Sequence, residues 1–175
     1  SGGHPVWLAL HGRVHRPYHH LPDDPHSQSG PEHDSRPDHA PDPASRFGDA
    51  ALRCKKAGFE IVEIHGAAGC IPTNFLSPHD NKRTDMYGGS LENRMRLLLE
   101  IVREIHKKCG PDFPVGVKLS TEDWEPEGIR IEETIEVAKA LEREGVSHLN
   151  MMGGTHATAA REFLLPNAFN AVHTR

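Results

Sequence analysis

From Arg46 onward the chain switches repeatedly between two hydrophobic periods, and that alternation admits few architectures. The run RFGDAALRCKKAGF sets Phe47, Ala50, Ala51, Cys54 and Ala57 at helical spacing and stops at Gly58. EIVEI follows as a short strand. SLENRMRLLLEIVREIHKKCG then puts Leu91, Met95, Leu98, Val102 and Ile105 on one stripe, opening at Ser90 as N-cap and closing on basic residues and Gly110. FPVGVKLS reads as a second strand with proline near its start. RIEETIEVAKALEREG reads as a helix with Ile131, Ile135, Ala138 and Leu141 inward and Gly145 as its stop, and SHLNMM as a third strand. Helices and strands in strict turn predict an α/β fold, with a parallel sheet joined by helical crossovers.

The phase of the strands carries a second message. In a parallel barrel alternate side chains point inward, and the others pack beneath the helices. With His65 inward, Glu63 and Ile61 share its face while Val62 and Ile64 go outward. Val115, Val117 and Leu119 suit the helix side of the second strand, leaving Gly116 and Lys118 inside. Leu149 and Met151 go outward in the third, leaving His148, Asn150 and Met152 inside. Each inward face then carries one polar group near its C-terminal end: His65, Lys118 and Asn150. Any one of them alone is more often a turn residue or a solvated cation. Three in matching phase are expected of a site at the mouth of a (β/α) barrel. The small residues HGAAG after the strand leave room there for a ligand.

The first 45 residues are of a different kind, with eight of the 14 His and eight of the 14 Pro in the chain. Proline interrupts YHHLPDDPHSQSGPEHDSRPDHAPDPAS every few residues, so it builds no helix, and it does not alternate like a strand. It is expected to be an extended, poorly packed segment, or out-of-frame sequence joined to a genuine protein. His19, His20, His26, His33 and His39 are imidazole ligands in principle, but their spacings match no closed metal site, so no metal is expected.

The net charge of -5 gives no reason to expect nucleic acid or an anionic membrane as partner, and no stretch approaches the roughly 18 apolar residues of a spanning helix. Cys54, Cys70 and Cys109 are odd in number and widely spaced. That favours free thiols in a reducing, cytoplasmic setting over a disulfide framework. The chain opens on Ser, which fits a fragment.

The stretch AGFEIVEIHGAAGCIPTNFLSPHDNKRTDMYGGSLENRMRLLLEIVREI, running on to GPDFPVGVKLS, resembles the old yellow enzyme family of flavin-dependent oxidoreductases. FLSPHDNKRTDMYGGSLENR is its specific part, long, irregular and unexplained by periodicity. The resemblance covers roughly residues 46 to 170, including LPNAFN, which resembles the segment after the sixth strand. In residues 1 to 45 only LHGRV is similar to a family motif, the one after the third strand.

This resemblance implies a (β/α)8 barrel, of which the chain holds roughly the fourth to sixth β/α units, carrying FMN at its C-terminal mouth. NADH or NADPH reduces the flavin, which passes a hydride to an activated alkene, a small α,β-unsaturated substrate. His65 matches the first of two donors that hold the substrate's carbonyl oxygen as charge develops on it. Lys118 matches the basic residue, usually Arg, set against the flavin pyrimidine edge; it supplies the charge without arginine's planar fork. The second donor position is Ala68, and the proton-donor tyrosine position is Cys70. A thiol gives up a proton more readily than a phenol, but its sulfur lies closer to the backbone. Asn81, Arg83 and Asp85 are expected to cross-link a long loop, with Gly88 and Gly89 permitting its turn; Trp124 and His156 lie in loops above the mouth.

A complete barrel takes about 250 residues, and 130 run from Arg46 to the end. The last two units, which hold the FMN phosphate, fall outside this stretch, so the chain alone is expected to bind FMN weakly or not at all. Two other readings stay open. One is a different FMN barrel with Cys70 as proton donor, such as a dihydroorotate dehydrogenase or dihydrouridine synthase. The other is a non-catalytic remnant, truncated or frame-shifted, or a partner-binding module.

Overall fold

A computed structural model describes residues 9–10, 42–155 and 158 of the chain. Its elements are β1 (Ala9–Leu10), α1 (Pro43–Lys56), β2 (Val62–Gly66), α2 (Ile71–Leu76), α3 (Leu91–Cys109), β3 (Val115–Ser120), α4 (Ile131–Arg143) and β4 (His148–Met152). All four strands are parallel and lie in chain order in one sheet. Parallel neighbours need long crossovers; α1 leads into β2, and α3 and α4 supply the next two connections.

Local chemistry sets the helix ends. Proline occupies the first turn of α1, where its missing N–H costs nothing, and Phe47, Ala51 and Cys54 bury the i, i+4, i+7 face. The helix expected from Arg46 therefore begins at Pro43. Ser90 caps α3 by accepting from the Asn93 N–H at 3.3 Å, and Gly110, at φ 98°, ends it. Leu97, Leu98, Ile101, Val102 and Ile105 of α3 pack on Val62, Ile64, Val115, Val117 and Leu119 of the sheet, all buried. Each such side chain contributes roughly 1.5–3 kcal/mol by leaving water. The strand residues are the outward set that the alternation predicts.

Three details differ from the sequence expectation. β2 runs on to Gly66, so His65 lies inside the strand instead of beyond its end. α2 is a single short turn-and-a-half that hydrophobic periodicity is too coarse to detect. The buried face of α4 is Thr134, Val137, Ala140 and Leu141, while Ile131 and Ile135, expected inward, are 38% and 47% exposed. The reason is polar. The Thr134 hydroxyl bonds the Ser120 and Thr121 carbonyls at 3.3 and 2.9 Å, turning that face of the helix onto the end of β3. Ile135 instead borders a groove of about 370 Å³ with Ala138, Val146 and Leu149, beside β4. No helix among the described residues is long and apolar enough to cross a membrane. The expectations for the His/Pro-rich segment, including its five histidines, fall outside the described residues apart from Ala9–Leu10 and the start of α1.

Candidate functional site

Strand register decides which side chains meet. His65 is paired with Lys118, and Lys118 with Asn150, so the three form one row across β2, β3 and β4. Paired residues of adjacent parallel strands point to the same face, about 4.8 Å apart. The row therefore spans roughly 10 Å on the face away from the helices. One step nearer the strand N-termini lies a second row, Glu63, Gly116 and His148. There the middle strand is bare. A Cβ on Gly116 would sit 2.0 Å from His148 Cε1. Across that gap His148 Nε2 reaches Glu63 Oε2 at 3.3 Å, and the Asn150 amide donates to both Glu63 oxygens at 3.4 and 3.5 Å. Glu63, 9% exposed, thus gains partners two strands away.

In the upper row, the Ala67 N–H donates to His65 Nδ1 at 3.4 Å. A neutral imidazole that accepts at Nδ1 carries its proton on Nε2, which makes Nε2 a donor. The chain then turns sharply, with Ala68 at φ 56° and Gly69 at φ 79°. An alanine in this left-handed region costs about 1 kcal/mol. The Ala68 N–H donates to Ser120 Oγ at 3.3 Å, which ties the turn to the end of β3. The turn brings Cys70 to Lys118. Burial pushes the Cys70 thiol up, and the nearby Lys118 ammonium pulls it partly back. Ala68 is buried at 3% exposure and has no side-chain donor to offer.

Three βα loops close the rim. In the loop after α2, the Asn81 amide donates to the Phe75 and Tyr87 carbonyls, both at 2.7 Å, and its oxygen accepts from the Arg83 N–H. Arg83 pairs with Asp85 and lies over the Phe75 and Tyr87 rings. The two glycines serve different ends: Gly89 takes φ 80°, whereas a Cβ on Gly88 would strike the Arg83 carbonyl at 2.0 Å. These residues brace the loop, and buried Arg94 fastens it to α4 by bonding Leu76 O, Gly89 O and Glu133. In the loop after β3, Trp124 sits at φ 58°. Backbone strain of this kind costs about 1–3 kcal/mol and persists only where neighbours enforce it. A Cβ on Gly154 would meet the Trp124 ring at 2.6 Å, and the Gly154 N–H bonds Glu122 O at 2.7 Å. His156 lies outside the described residues.

Glu63, Ser120 and Asp123 escaped the sequence reading. Strand phase turns Glu63 inward without giving it a role; its signal is a carboxylate placed between apolar strand residues. Asp123 is 1% exposed in a loop that reads as solvated.

The profile of the NADH:flavin oxidoreductase / NADH oxidase family matches residues 41–167. An NADH oxidase of Thermoanaerobacter brockii is 42% identical over 111 residues, covering 63% of this chain and 17% of that protein. A 2-naphthoyl-CoA reductase, solved with 2-naphthoyl-CoA, superposes with TM-score 0.63 at 38% identity, over 65% of this chain and 17% of its own. Morphinone reductase, solved with tetrahydroNAD, gives 0.55 at 37% identity, over 62% and 30%. The chain thus spans less than a third of each. The parallel sheet is part of the barrel those enzymes share, and FMN is the cofactor of the matched family. With that match covering most of its length, the chain belongs to the NADH:flavin oxidoreductase / NADH oxidase family.

Proposed function

We propose that this chain forms the fourth to sixth β/α units of an FMN-dependent ene-reductase that uses NADH or NADPH and acts on a small α,β-unsaturated substrate. The observation that carries this reading is the row His65, Lys118, Asn150, which puts two hydrogen-bonding side chains and a cation at one level of one face. That donor set fits a flavin: register places the Lys118 ammonium between His65 and Asn150, where its charge, already felt by the Cys70 thiol, can meet an anionic ligand edge. FMN, when bound, supplies hydride transfer between nicotinamide and alkene.

Each residue then has a definite task. His65 donates from Nε2 to the substrate carbonyl oxygen and stabilises the charge that develops there. Lys118 holds the pyrimidine edge of the flavin. Cys70 keeps its proton because burial raises the thiol, so it is a proton carrier beside the site. Ala68 leaves the carbonyl oxygen with one donor where the family resemblance implies two, so substrate is gripped less firmly. The three free cysteines suit a reducing compartment, and we place the protein in the cytoplasm on that ground.

The test is anaerobic. The full-length enzyme that contains these units, loaded with FMN, should bleach with NADH or NADPH and regain its colour on adding one of a panel of enones and enoates. In that full-length enzyme Lys118→Ala should weaken FMN binding at least tenfold in a fluorescence titration. His65→Ala should slow reoxidation by alkene while leaving bleaching intact. Reoxidation by oxygen alone, with every alkene inert, rejects the assignment.

A further inference from the structure

Glu63 is a buried carboxylate to which the reaction proposed above gives no task. It lies one row beneath His65, Lys118 and Asn150, and its partners His148 and Asn150 both come from β4, two strands away. His148 Nε2 meets Oε2 at 3.3 Å, and the Asn150 amide nitrogen meets Oε1 and Oε2 at 3.5 and 3.4 Å. Glu63 is 9% exposed, so water competes little for either oxygen. The His148 ring is itself confined, lying where any Cβ on Gly116 would be 2.0 Å from Cε1. An imidazole wedged over bare backbone thus holds the carboxylate from one side, and the carboxylate in turn holds Asn150.

An asparagine amide has two arms of nearly one shape and opposite chemistry: the nitrogen donates and the oxygen accepts, whereas a carboxylate only accepts. With its oxygen turned to Glu63, the amide would set acceptor against acceptor, which burial makes unfavourable. The nitrogen therefore faces Glu63, and the planar amide sends Oδ1 to the opposite side of Cγ. Asn150 is exposed on the face it shares with Lys118.

Register sets Asn150 beside Lys118, about 4.8 Å away across the sheet. The row therefore offers a cation and, next to it, an acceptor. That pair complements an edge on which a carbonyl oxygen stands beside an N–H, as on an imide, and the pyrimidine ring of a flavin carries such an edge. We propose that Glu63 is a positioning residue for ligand recognition: by accepting from the Asn150 nitrogen, it turns the amide so that Oδ1, beside the Lys118 ammonium, is free to accept from an imide N–H. Glu63 acts through Asn150 and is not itself a ligand contact. The inference rests on FMN as the ligand of this face.

The test compares two ligands on the full-length enzyme that contains these units: FMN, and 3-methyl-FMN, whose pyrimidine N–H is replaced by N–CH3. Fluorescence titration gives the two dissociation constants, and their ratio reads the Asn150 contact. Loosened packing weakens both ligands alike and leaves the ratio where it was. The parent should favour FMN by roughly tenfold, about the worth of one hydrogen bond. Asn150→Ala should lower that ratio roughly threefold or more. Glu63→Gln keeps the shape but donates as well as accepts, so it no longer dictates which arm Asn150 presents, and the ratio should fall there too. A parent ratio near one, or a ratio that either variant leaves unchanged, overturns the proposal. A parent that binds no FMN defeats the enzyme assignment and this inference with it; FMN binding with an unmoved ratio defeats this inference alone. If Glu63→Gln fails to fold, neutron diffraction from parent crystals decides by locating the amide deuterons of Asn150. Deuterons towards Glu63 support the proposal, and an oxygen there refutes it.

Discussion

At the scale of single residues, the interior of this sheet depends on atoms that are absent as much as on those present. Gly116 is the clearest case, since any Cβ there collides with the His148 ring. Gly116→Ala should destabilise by about 1–3 kcal/mol in urea unfolding, as overpacking does. His148→Ala in the same chain should recover most of that loss, giving a coupling energy above about 0.5 kcal/mol. Cys70 offers a second reading of the site. Lys118 draws its thiol downward against burial, so Lys118→Met should slow alkylation of Cys70 at pH 8; unchanged kinetics would separate the two groups. Asp123 sets a pH slope. Its folded pKa is raised, so the folded state keeps a proton that the unfolded chain releases near pH 3.9. The stability contributed by this group is full below that value, declines as pH rises to the folded pKa, and is level above it. Asp123→Asn should remove that decline in urea midpoints measured from pH 4 to 8.

Among the elements, α4 shows what a hydrophobic count can and cannot see. Spacing alone picks Ile131, Ile135, Ala138 and Leu141, yet the helix buries Thr134, Val137 and Leu141, because a threonine hydroxyl finds two carbonyls at the end of β3. Leu141→Ala should therefore cost about 2–5 kcal/mol. Ile135→Ala should stay within roughly 1 kcal/mol in the same denaturation series. The strands were far more legible. Period two picks out the buried outward residues of β2 and β3, though Met151 of β4, expected under a helix, is 39% exposed, and register aligns His65, Lys118 and Asn150 in one row. α2 was not legible, since six residues hold less than two helical turns. The bracing loop between α2 and α3 was legible in composition and in purpose. Its hydrogen bonds from Asn81 are the reason that Asn81→Ala should lose about 1–3 kcal/mol. Exposed Arg83→Ala should shift the same urea midpoint much less.

For the molecule as a whole, resemblance and geometry contribute different things. Family membership follows from long irregular motifs that no periodicity explains, and strand phase already groups His65, Lys118 and Asn150, whereas the contact of Glu63 with His148 and Asn150 emerges only once strands are laid side by side. The bond from the Thr158 hydroxyl to the Asp123 carbonyl could not be read from sequence, because the two residues lie in separate loops and carry no common pattern. The bare patch over Gly116 also bears on how the sheet is assembled. Were β4 to dock one residue out of step, Ser147 or Leu149 would replace His148 opposite that patch, and the Glu63 carboxylate would be stranded without its imidazole. Strands two apart thus depend on one alignment, and a mis-threaded sheet would leave a buried carboxylate without its partner.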